Sequence, residues 1–402
     1  MNRQYLIHLI SLGLTKTADG LIDPKLVLAW LLNTLGAPGY LTGLLVPVRE
    51  AGALLPQLLL ARKIEQNRIR KTFWVIGSAT QGLAAAAIAL SAWFLEGLIA
   101  GLAIVASLAV LAVARSACSA SYKDVLSRTV EKGARGRVSG TAGTASAVLV
   151  FAFALLLATG VLPREPFYIA CAIAIAGGLW LLAAVIFSTL DEPEAEIDTS
   201  DMGDVSELVE PLTQDSEFQS YVATRALLIS TALSPPFLVM LGNTDGIGVG
   251  NLGLLILASS IAAIVSSYLW GALSDRSSRK VLMLAGAISA LTLGAAAGFG
   301  FWAENVSSAY VVAAFVFTAQ IAYQGARLGR KTHLTDMDTH GRKAVYTALS
   351  NSLIGMLLLA GGALGLLADI AGVPVTLAVL AAFSTLSIVT GSTLSEVQQE
   401  AD

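Results

Sequence analysis

Charged residues are scarce in this chain of 402 residues: Asp, Glu, Lys and Arg together account for only 13% of the sequence. An average soluble domain has about twice that fraction. Hydrophobic residues make up 55%, and the mean hydropathy is +0.72. A folded chain of this composition has too little polar surface to cover itself in water. The composition therefore excludes an ordinary soluble protein and predicts a membrane protein.

Cysteine and histidine are also rare. The two cysteines, Cys118 and Cys171, both fall within apolar segments, which argues against a disulfide framework. The three histidines, His8, His333 and His340, do not have the spacing of a metal-binding motif. We therefore expect neither a metal ion nor a cofactor.

Sequence motifs of ATP-driven and catalytic proteins are missing as well. The chain has no G-x4-G-K-[ST] loop for phosphate and no soluble segment large enough to hold a nucleotide, so ATP is not the expected energy source. It has neither H-E-x-x-H nor G-x-S-x-G, which disfavours an intramembrane enzyme. We expect no enzymatic activity and no nucleic-acid partner.

Long apolar segments dominate what is present. A helix that crosses the hydrocarbon core needs about 20 mostly apolar residues, and about twelve windows of that length occur, separated by short polar turns. The segments are too long, and alternate too little, for transmembrane strands. The sequence thus predicts an all-α polytopic membrane protein with twelve transmembrane helices. The predicted segments are residues 14–36, 39–61, 72–93, 97–119, 139–161, 167–189, 218–241, 249–273, 280–302, 306–328, 345–367 and 373–394.

Positive charge is concentrated in every second loop. Lys and Arg in short loops stay on the cytoplasmic side of a membrane, and the loops on the opposite side contain one cation, Arg164. The N-terminus shows no cleavable signal sequence. This pattern predicts a multi-pass protein of a bacterial inner membrane with both termini in the cytoplasm. The cations that define the cytoplasmic side are Arg62, Lys63, Arg68, Arg70, Lys71, Lys123, Arg128, Lys132, Arg135, Arg137, Arg276, Arg279, Lys280, Arg330, Lys331, Arg342 and Lys343.

An acidic segment divides the chain. Residues 191–217 contain eleven Asp or Glu and no Lys or Arg. Such a segment cannot bury enough apolar surface to fold alone. We expect a flexible cytoplasmic linker between a first transmembrane half, residues 1–190, and a second, residues 218–402. The sequence leaves open whether the linker is only a solvated spacer or also a regulatory segment.

The spacing of basic residues recurs in both halves. Arg70 precedes Arg135 by 65 residues and Arg279 precedes Arg342 by 63, with the first arginine of each pair just before the third apolar segment of its half. A duplicated six-helix unit produces such a repeat. We therefore expect two pseudo-symmetric six-helix bundles.

The loop between the eighth and ninth segments carries a motif. Gly271, Asp275, Arg276, Arg279 and Lys280 follow the pattern G-x3-D-R-x2-R-K. Together with twelve segments and a central linker, this pattern resembles the major facilitator superfamily, whose loop motif is roughly G-x3-D-R-x-G-R-[RK]. The resemblance covers the whole chain without identifying a subfamily. It implies alternating access between the two halves and a cytoplasmic gate locked by this loop, mainly through its aspartate and its two arginines.

The chain departs from the family pattern at two places. Ser278 stands where the motif has its second glycine, and the first-half counterpart of the loop has Arg62 and Gln66 where glycine and aspartate are expected. Positive charge that only orients the protein would explain the cations of the motif equally well, but it does not explain Asp275.

A second similarity lies in the fourth segment. Leu111-x3-Arg115 resembles the family motif that contains a buried arginine implicated in proton coupling. The Gln-Gly pair that follows in that motif is replaced by Cys118-Ser119. The resemblance therefore implies a coupling role for Arg115 on the arginine alone.

Charged residues inside the apolar segments are the candidate functional residues. A charge at the centre of a transmembrane helix costs about 2.5–3.5 kcal/mol, so it requires a reason. Asp19 and Arg115 lie at similar depths below the cytoplasmic ends of the first and fourth segments, and Lys25 and Glu50 both fall near the midplane. The candidates for proton coupling or substrate binding are Asp19, Asp23, Lys25, Arg49, Glu50 and Arg115.

Three interpretations of these charges remain open. In the first, one of the carboxylates Asp19, Asp23 or Glu50 takes up a proton and weakens its hold on a neighbouring cation, which biases the side to which the protein opens. In the second, the charges form static ion pairs that fasten the helices together. In the third, the cations bind an anionic substrate.

The second half contains fewer buried charges. Arg225 lies near the predicted membrane boundary, where its position favours a side chain that reaches the surface as an anchor over one that contacts a ligand. The segment Ser234-Pro235-Pro236 is expected to break or kink the seventh helix. The candidates to line a cavity, or to form hydrogen bonds between helices, are Gln320, Tyr323, Gln324 and Asn351.

These residues and the resemblance together predict a secondary active transporter that moves a small solute by alternating access, with protons as the coupling ion. Its expected partners are a small-molecule substrate, protons and the lipid bilayer, and the expected state is a monomer. The alternative from another class is a membrane sensor or assembly factor that has a transporter-like fold but no transport activity.

Overall fold

A computed structural model of the chain describes residues 3–57, 60, 63–64, 66–131, 134–162, 165–194, 205–242, 249–302, 309–339 and 342–398. These residues form helices joined by turns, with no strand among them. They divide into two compact units, Met1–Asp201 and Met202–Asp402. The all-α class predicted from the sequence is confirmed. Three cations used to predict the orientation, Arg62, Lys132 and Arg164, lie outside the described residues.

The first unit is built around its third and sixth predicted segments, which pack on each other as helices α4 and α7. Helix α1 packs on α6 and α7, and α3 packs on α5. At the α4–α7 crossing, a Cβ on Gly82 would lie 2.8 Å from the carbonyl oxygen of Gly177, so a larger residue does not fit. The helices are α1 (Arg3–Leu21), α2 (Val27–Thr34), α3 (Gly39–Leu54), α4 (Lys71–Phe94), α5 (Gly97–Thr129), α6 (Arg135–Ala158) and α7 (Pro166–Ser188).

The second unit repeats this packing order. Its third and sixth segments, α12 and α16, pack on each other, and α13 packs on both α11 and α12. The recurrence of the third-on-sixth contact is what a duplicated six-helix unit produces. The helices are α8 (Val205–Gln214), α9 (Ser216–Leu227), α10 (Ser230–Gly242), α11 (Val249–Ser274), α12 (Ser278–Trp302), α13 (Ala309–Asp336), α14 (Lys343–Gly361), α15 (Ala363–Ala371) and α16 (Val373–Ser392).

Most of these helices are suited to a bilayer. Within the described residues, nine helical segments are long and apolar enough to cross a membrane when α9 with α10 and α14 with α15 are counted as single spans. The other three predicted segments correspond to α1 with α2, to α3 and to α11. Helix α4 exposes Ile76, Leu83 and Leu90, which are seven residues apart and are 61%, 65% and 51% exposed. Such an apolar stripe suits contact with lipid, and the chain is an integral multi-pass membrane protein.

The first predicted segment is not one continuous helix. Helix α1 begins at Arg3, well before residue 14, and the helix is interrupted between Leu21 and Val27. Pro24 has no backbone N–H and keeps the residue before it out of the helical conformation. The carboxylate of Asp23 accepts hydrogen bonds from the backbone N–H groups of Lys25 at 2.7 Å and Leu26 at 3.1 Å, which stabilises the interruption.

The seventh predicted segment is also interrupted, but not at its prolines. Pro235 and Pro236 lie inside α10, and the interruption falls between Leu227 and Ser230. The prolines deprive the carbonyl groups of Thr231 and Ala232 of their helical N–H partners, and both residues lie inside α10. The interruption therefore lies before the turn that the prolines affect, which corrects the expected position of the break.

The third transmembrane segment of each unit, α4 in the first and α12 in the second, is capped at its start by a residue that follows the sixth segment. In the first unit, the carboxylate of Glu192 accepts the backbone N–H groups of Arg70 at 3.1 Å and Lys71 at 2.7 Å. In the second, the side chain of Gln398 accepts the N–H of Ser278 at 2.8 Å. These contacts satisfy N–H groups that the start of a helix leaves without partners.

The described ends of the acidic segment 191–217 are held in place by their own units. Beyond Glu192 at one end, Glu210 at the other forms an ion pair with Arg342 at 2.8 Å. Asp215 caps α9 and accepts the hydroxyl of Tyr346 at 2.8 Å. The ends are therefore not free, because their carboxylates lie beside cations and helix N-termini. Residues 195–204 of the expected linker lie outside the described residues.

Candidate functional site

Three charged side chains meet inside the first unit. Oδ1 of Asp19, on α1, accepts a hydrogen bond from Nη2 of Arg49, on α3, at 2.9 Å, and it is also in direct contact with Nη1 of Arg115, on α5. The Arg49 side chain is 9% exposed, that of Asp19 24% and that of Arg115 38%. One carboxylate therefore joins three helices and separates two guanidinium groups.

The balance of charge in this cluster depends on Asp19. Arg49 and Arg115 repel each other, and Asp19 attracts both. Glu50 lies close enough to add attraction to both arginines. If Asp19 became neutral, two like charges in a poorly hydrated site would lose the group between them.

A cavity of about 230 Å3 opens beside this cluster. Asp19 and Arg115 both line it, whereas Arg49 is not among its lining residues. Two tryptophans and a tyrosine supply aromatic walls, and small polar groups supply hydrogen-bonding positions. The remaining lining residues are Leu12, Thr15, Lys16, Trp74, Gln81, Cys118, Ser119, Tyr122, Lys123 and Trp180.

Lys16 lies on the same face of α1 as Asp19, one helical turn earlier. Its Nζ donates to the backbone carbonyl of Ser139 on α6 at 3.0 Å. Gly143, one turn further along α6, leaves room for this side chain, because a Cβ there would lie 3.2 Å from Nζ. The lysine head group is therefore positioned at the cavity by the packing of α1 against α6.

The other candidates of the first unit lie around this centre. Asp23 caps the interruption before α2, with Lys25 beside it. Glu50 is partly buried next to Arg49 on α3. The structure thus brings Asp19, Arg49 and Arg115 into direct contact and places Asp23, Lys25 and Glu50 nearby; the roles predicted for all six remain predictions.

The second unit contains a buried arginine that sequence reasoning interpreted as an anchor. Arg225, on α9, is 7% exposed, so it does not reach the surface. Its Nη1 donates to Oγ of Ser350 at 2.5 Å and its Nη2 to Oδ1 of Asn351 at 2.8 Å, both on α14. Its Nε is buried without a partner, and within the described part of the chain no carboxylate forms an ion pair with it. The anchor interpretation is wrong.

The polar candidates on α13 show a different arrangement. Gln320 and Gln324 are four residues apart, so they lie on one face of the helix, and both are partly buried. Their side chains form no hydrogen bond with any other residue that the structure describes. Tyr323, which lies between them in the sequence, is also partly buried. A cavity-lining role for these residues stays a prediction, and Asn351 contacts a buried charge, Arg225.

The loop motif lies at the turn between α11 and α12. Asp275, Arg276 and Lys280 are exposed, and their side chains make no ion pair within the described ranges. Gly271 lies in the last turn of α11. Arg279 donates to the backbone carbonyl of Leu394 at 3.1 Å. The gate role that the resemblance implies for the loop stays a prediction.

Ser278, which replaces the second glycine of the motif, has a local function. It is fully buried, and its hydroxyl lies 3.0 Å from Nδ1 of His333 and donates to Oε1 of Gln398 at 3.0 Å. On its other side, Nε2 of His333 is 3.3 Å from the carboxylate of Glu217. A glycine at this position would remove the centre of this polar cluster.

Comparison with known proteins gives matches in structure but not in sequence. No family model and no curated protein matches the chain. Among solved structures, a nucleoside transporter, NupG, is similar over 98% of both chains with 13% identity and a TM-score of 0.71. A D-xylose-proton symporter is similar over 98% of both chains with 10% identity and a TM-score of 0.73. A POT family transporter in complex with a thioalcohol conjugated peptide matches over 96% of this chain and 95% of its own, with 11% identity and a TM-score of 0.71. The similarity shows a shared fold along almost the whole chain.

Proposed function

Because the chain has the major facilitator fold, we propose that it is a secondary active transporter that moves a small solute across the membrane by alternating access, coupled to protons. Its two transmembrane halves are residues 1–190 and 218–402, joined by the acidic segment, with both termini in the cytoplasm. The observation that carries the proposal is the carboxylate of Asp19, held between Arg49 and Arg115 at the wall of a polar cavity.

Protonation of Asp19 gives this cluster two states. When the carboxylate is charged, it bridges α1, α3 and α5 through the two guanidinium groups. When a carboxylate oxygen binds a proton, the bridge weakens and the mutual repulsion of the arginines is no longer offset. A conformational equilibrium responds to any ligand that binds its two states differently, and here the proton is such a ligand.

The cavity gives access to both residues of the ion pair that protonation weakens. Asp19 and Arg115 line it, so a proton and a solute can reach the same place. When the bridge between Asp19 and Arg115 is lost, Arg115 becomes available to the solute. Arg49 is not among the lining residues of the cavity. The names of two similar structures, a proton symporter and a nucleoside transporter, are consistent with a solute and a proton as the transported pair.

The test is proton movement driven by a solute. The purified chain is reconstituted in liposomes that contain a pH-sensitive dye, and sugars, amino acids, organic acids and nucleosides are added in turn. We expect one class to drive proton uptake. Asp19→Asn should abolish the proton movement while solute exchange without a gradient continues, because the neutral side chain resembles the protonated state.

The matched control is Asp124→Asn. Asp124 lies on α5 and also bridges two arginines, Arg70 at 3.0 Å and Arg128 at 2.8 Å, but it is not among the lining residues of the cavity. This variant should keep proton coupling. If Asp19→Asn does not fold, the charge-balanced variant Asp19→Asn with Arg49→Gln takes its place, because Arg49 is not among the lining residues of the cavity and Arg115 stays intact.

Two results would contradict the proposal. Proton movement that persists in Asp19→Asn would remove Asp19 from the coupling mechanism. A folded wild-type protein that moves no solute of any class would favour the sensor or assembly factor, in which the same ion pairs only hold helices together.

A further inference from the structure

We infer that Gln81 and Tyr122 recognise the solute through hydrogen bonds, and that the solute is a small uncharged molecule with several hydroxyl groups. The inference rests on the proposed transport function and adds the chemical class of the solute and two residues that select it. It concerns the cavity of the first unit alone, where each of these side chains has a buried polar atom that bonds to none of the described residues.

Helix α5 presents one continuous side to this cavity. Its lining residues Arg115, Cys118, Ser119 and Tyr122 are spaced at i, i+3, i+4 and i+7, a spacing that places them on one side of a helix. Helix α1 contributes four lining residues with the same spacing, between positions 12 and 19. Gln81 reaches the cavity from α4. Both candidate recognition residues therefore belong to the wall of one cavity.

The amide of Gln81 is buried and only half of it is used. The residue is 2% exposed, and its Nε2 donates to the backbone carbonyl of Gly77 and to Sγ of Cys118, each at 3.3 Å. A carbonyl oxygen only accepts, so the contact with Gly77 fixes which end of the amide is the nitrogen. Oε1 is left buried with no donor among the described residues. Because a buried acceptor without a donor is costly, we expect the solute to supply the donor.

The hydroxyl of Tyr122 has the same property. The ring is held by aromatic neighbours, with centroids 5.6 Å from that of His8 and 6.4 Å from that of Phe187. These contacts fix the ring, but the buried hydroxyl forms no hydrogen bond with any residue that the structure describes. A phenolic hydroxyl both donates and accepts. It can therefore bond to a solute group of either kind.

The two groups lie about one helical turn apart. Gln81 contacts Cys118, and Tyr122 follows Cys118 by four residues, which is a rise of about 6 Å along α5. In the other direction, Arg115 lies three residues before Cys118, about 4.5 Å along the helix, and contacts Asp19. A solute that bonds to Gln81 therefore lies close to the ion pair whose protonation is proposed to drive transport.

This arrangement favours hydroxyl groups on the solute. Oε1 of Gln81 requires a donor and the Tyr122 hydroxyl takes either a donor or an acceptor, and a hydroxyl is both. Since neither side chain is charged, neither requires a charge on the solute. Leu12, Trp74 and Trp180 give the cavity apolar walls, which suit the carbon skeleton of such a molecule. The cavity volume of about 230 Å3 limits the solute to a small molecule.

The first test is binding by solutes of similar size. Thermal unfolding of the purified full-length chain is measured with glucose and myo-inositol, with their charged counterparts gluconate and glucosamine, and with uracil, which has N–H donors but no hydroxyl. We expect glucose or myo-inositol to raise the melting temperature most. A larger shift with a charged counterpart would overturn the inference. Uracil as the best solute would assign an N–H donor and overturn the hydroxyl class.

Variants connect binding to the two side chains. Gln81→Met and Tyr122→Phe remove the polar atoms and nearly keep the size of each side chain. Each should weaken the affinity for the best solute about ten- to hundredfold, because one hydroxyl of the solute loses its partner in a buried place. Without solute, Tyr122→Phe should keep the melting temperature of the wild type, since its hydroxyl has no bond to lose among the described residues.

Ser78→Ala is the matched control. Ser78 lies on α4 three residues before Gln81, is fully buried, and donates its hydroxyl to the backbone carbonyl of Trp180 at 2.8 Å. It is not among the lining residues of the cavity. We expect Ser78→Ala to lower the melting temperature and to leave the affinity for the solute unchanged. This pattern is the opposite of that expected for Tyr122→Phe and separates packing from recognition.

Deoxy analogues of the best solute keep the test valid even if Gln81→Met does not fold. Loss of the solute hydroxyl that Tyr122 binds should weaken binding to the wild type about ten- to hundredfold. The same analogue should bind Tyr122→Phe no more weakly than the parent solute does. A merely structural role for Tyr122 predicts the same loss in both proteins, and that result would overturn the inference.

The outcomes separate this inference from the proposed function. Proton-linked transport of a solute whose affinity is unchanged in Gln81→Met and Tyr122→Phe would overturn the inference and leave the transporter proposal intact. Binding of a hydroxylated solute that depends on both residues, without any proton-linked transport, would support the recognition site and contradict the transporter proposal. A folded protein that binds no solute of the panel would also overturn the inference.

Discussion

The first transmembrane helix of each unit, α1 in the first and α9 in the second, carries a charge at the same place, but with the opposite sign. Asp19 lies two residues before the end of α1, and Arg225 lies two residues before the end of α9. Both helices stop at an interruption in their predicted segment. Asp19 contacts two arginines of its unit, whereas Arg225 contacts two neutral side chains.

This difference shows what a duplicated fold preserves. The helix packing, the interrupted first segment and the cap on the third helix recur in both units. The charges do not recur. In the first unit Asp19 lies between two arginines, whereas in the second no ion pair joins Arg225 to a carboxylate among the described residues.

The largest effect on stability is expected at Asp19, whose carboxylate lies between two arginines of the first unit. Asp19→Asn leaves Arg49 and Arg115 without the carboxylate between them, so the free energy of unfolding should fall by about 3–5 kcal/mol. Denaturant titration of the protein in detergent measures this. The matched site is Asp124, which also bridges a buried arginine, Arg70, and a partly buried one, Arg128. Asp124→Asn should therefore cost a similar amount, and a loss of less than about 1 kcal/mol for Asp19→Asn would contradict the prediction.

The second prediction concerns the recurring cap. Glu192→Ala removes a charged acceptor from two N–H groups at the start of α4 and should cost about 1–2 kcal/mol. Gln398→Ala removes a neutral acceptor at the start of α12 and should cost about 1 kcal/mol or less. Thermal unfolding of both variants checks the order. A larger loss for Gln398→Ala would contradict the greater contribution expected of a charged acceptor.

The third prediction concerns the departure from the family motif. Ser278→Ala removes a buried hydroxyl that contacts His333 and Gln398. We expect a loss of about 1 kcal/mol, the usual contribution of one hydrogen bond. Ser277 is adjacent in sequence and also forms a hydrogen bond through its hydroxyl, to Glu396 at 2.6 Å. Ser277→Ala is therefore the comparison, and a Ser278→Ala protein as stable as wild type would contradict the local role.

The smallest expected effect on stability tests the second unit. Arg225→Met replaces an uncompensated buried cation with an apolar side chain of similar length, so stability should stay within about 1 kcal/mol of wild type. If Arg225→Met destabilised the protein as much as Asp19→Asn, the contrast between the units would be wrong.

The fold could be predicted from the sequence because the bilayer makes length and hydropathy decisive. Each predicted apolar segment corresponds to a helix or a pair of helices. The interruptions were harder to place. The break in the first segment lies at Pro24, whereas the break in the seventh lies several residues before Pro235 and Pro236, and spacing alone does not predict its position.

For the candidate site, spacing in the sequence predicted how deep each charged residue lies in its segment, but not which side of its helix the residue occupies. Asp19 and Arg115 are at the same depth in their segments, and they are in contact. Arg49 and Glu50 are adjacent, and which of them faces Asp19 depends on the rotation of α3, which spacing alone does not give. For Arg225 the partners are 125 and 126 residues away on α14, so its distance from the membrane boundary was misleading.

The caps on α4 and α12 also have a consequence for the order of synthesis. Glu192 lies only a few residues after the sixth helix of its unit, so the group that completes the start of α4 leaves the ribosome before any of the second unit has been made. The first unit therefore needs no residue of the second to complete these backbone hydrogen bonds. In the same way, Gln398 belongs to the second unit and completes α12. Each unit carries all the chain that its third helix needs, and a gene cut within residues 195–204 should yield two polypeptides that insert and fold separately.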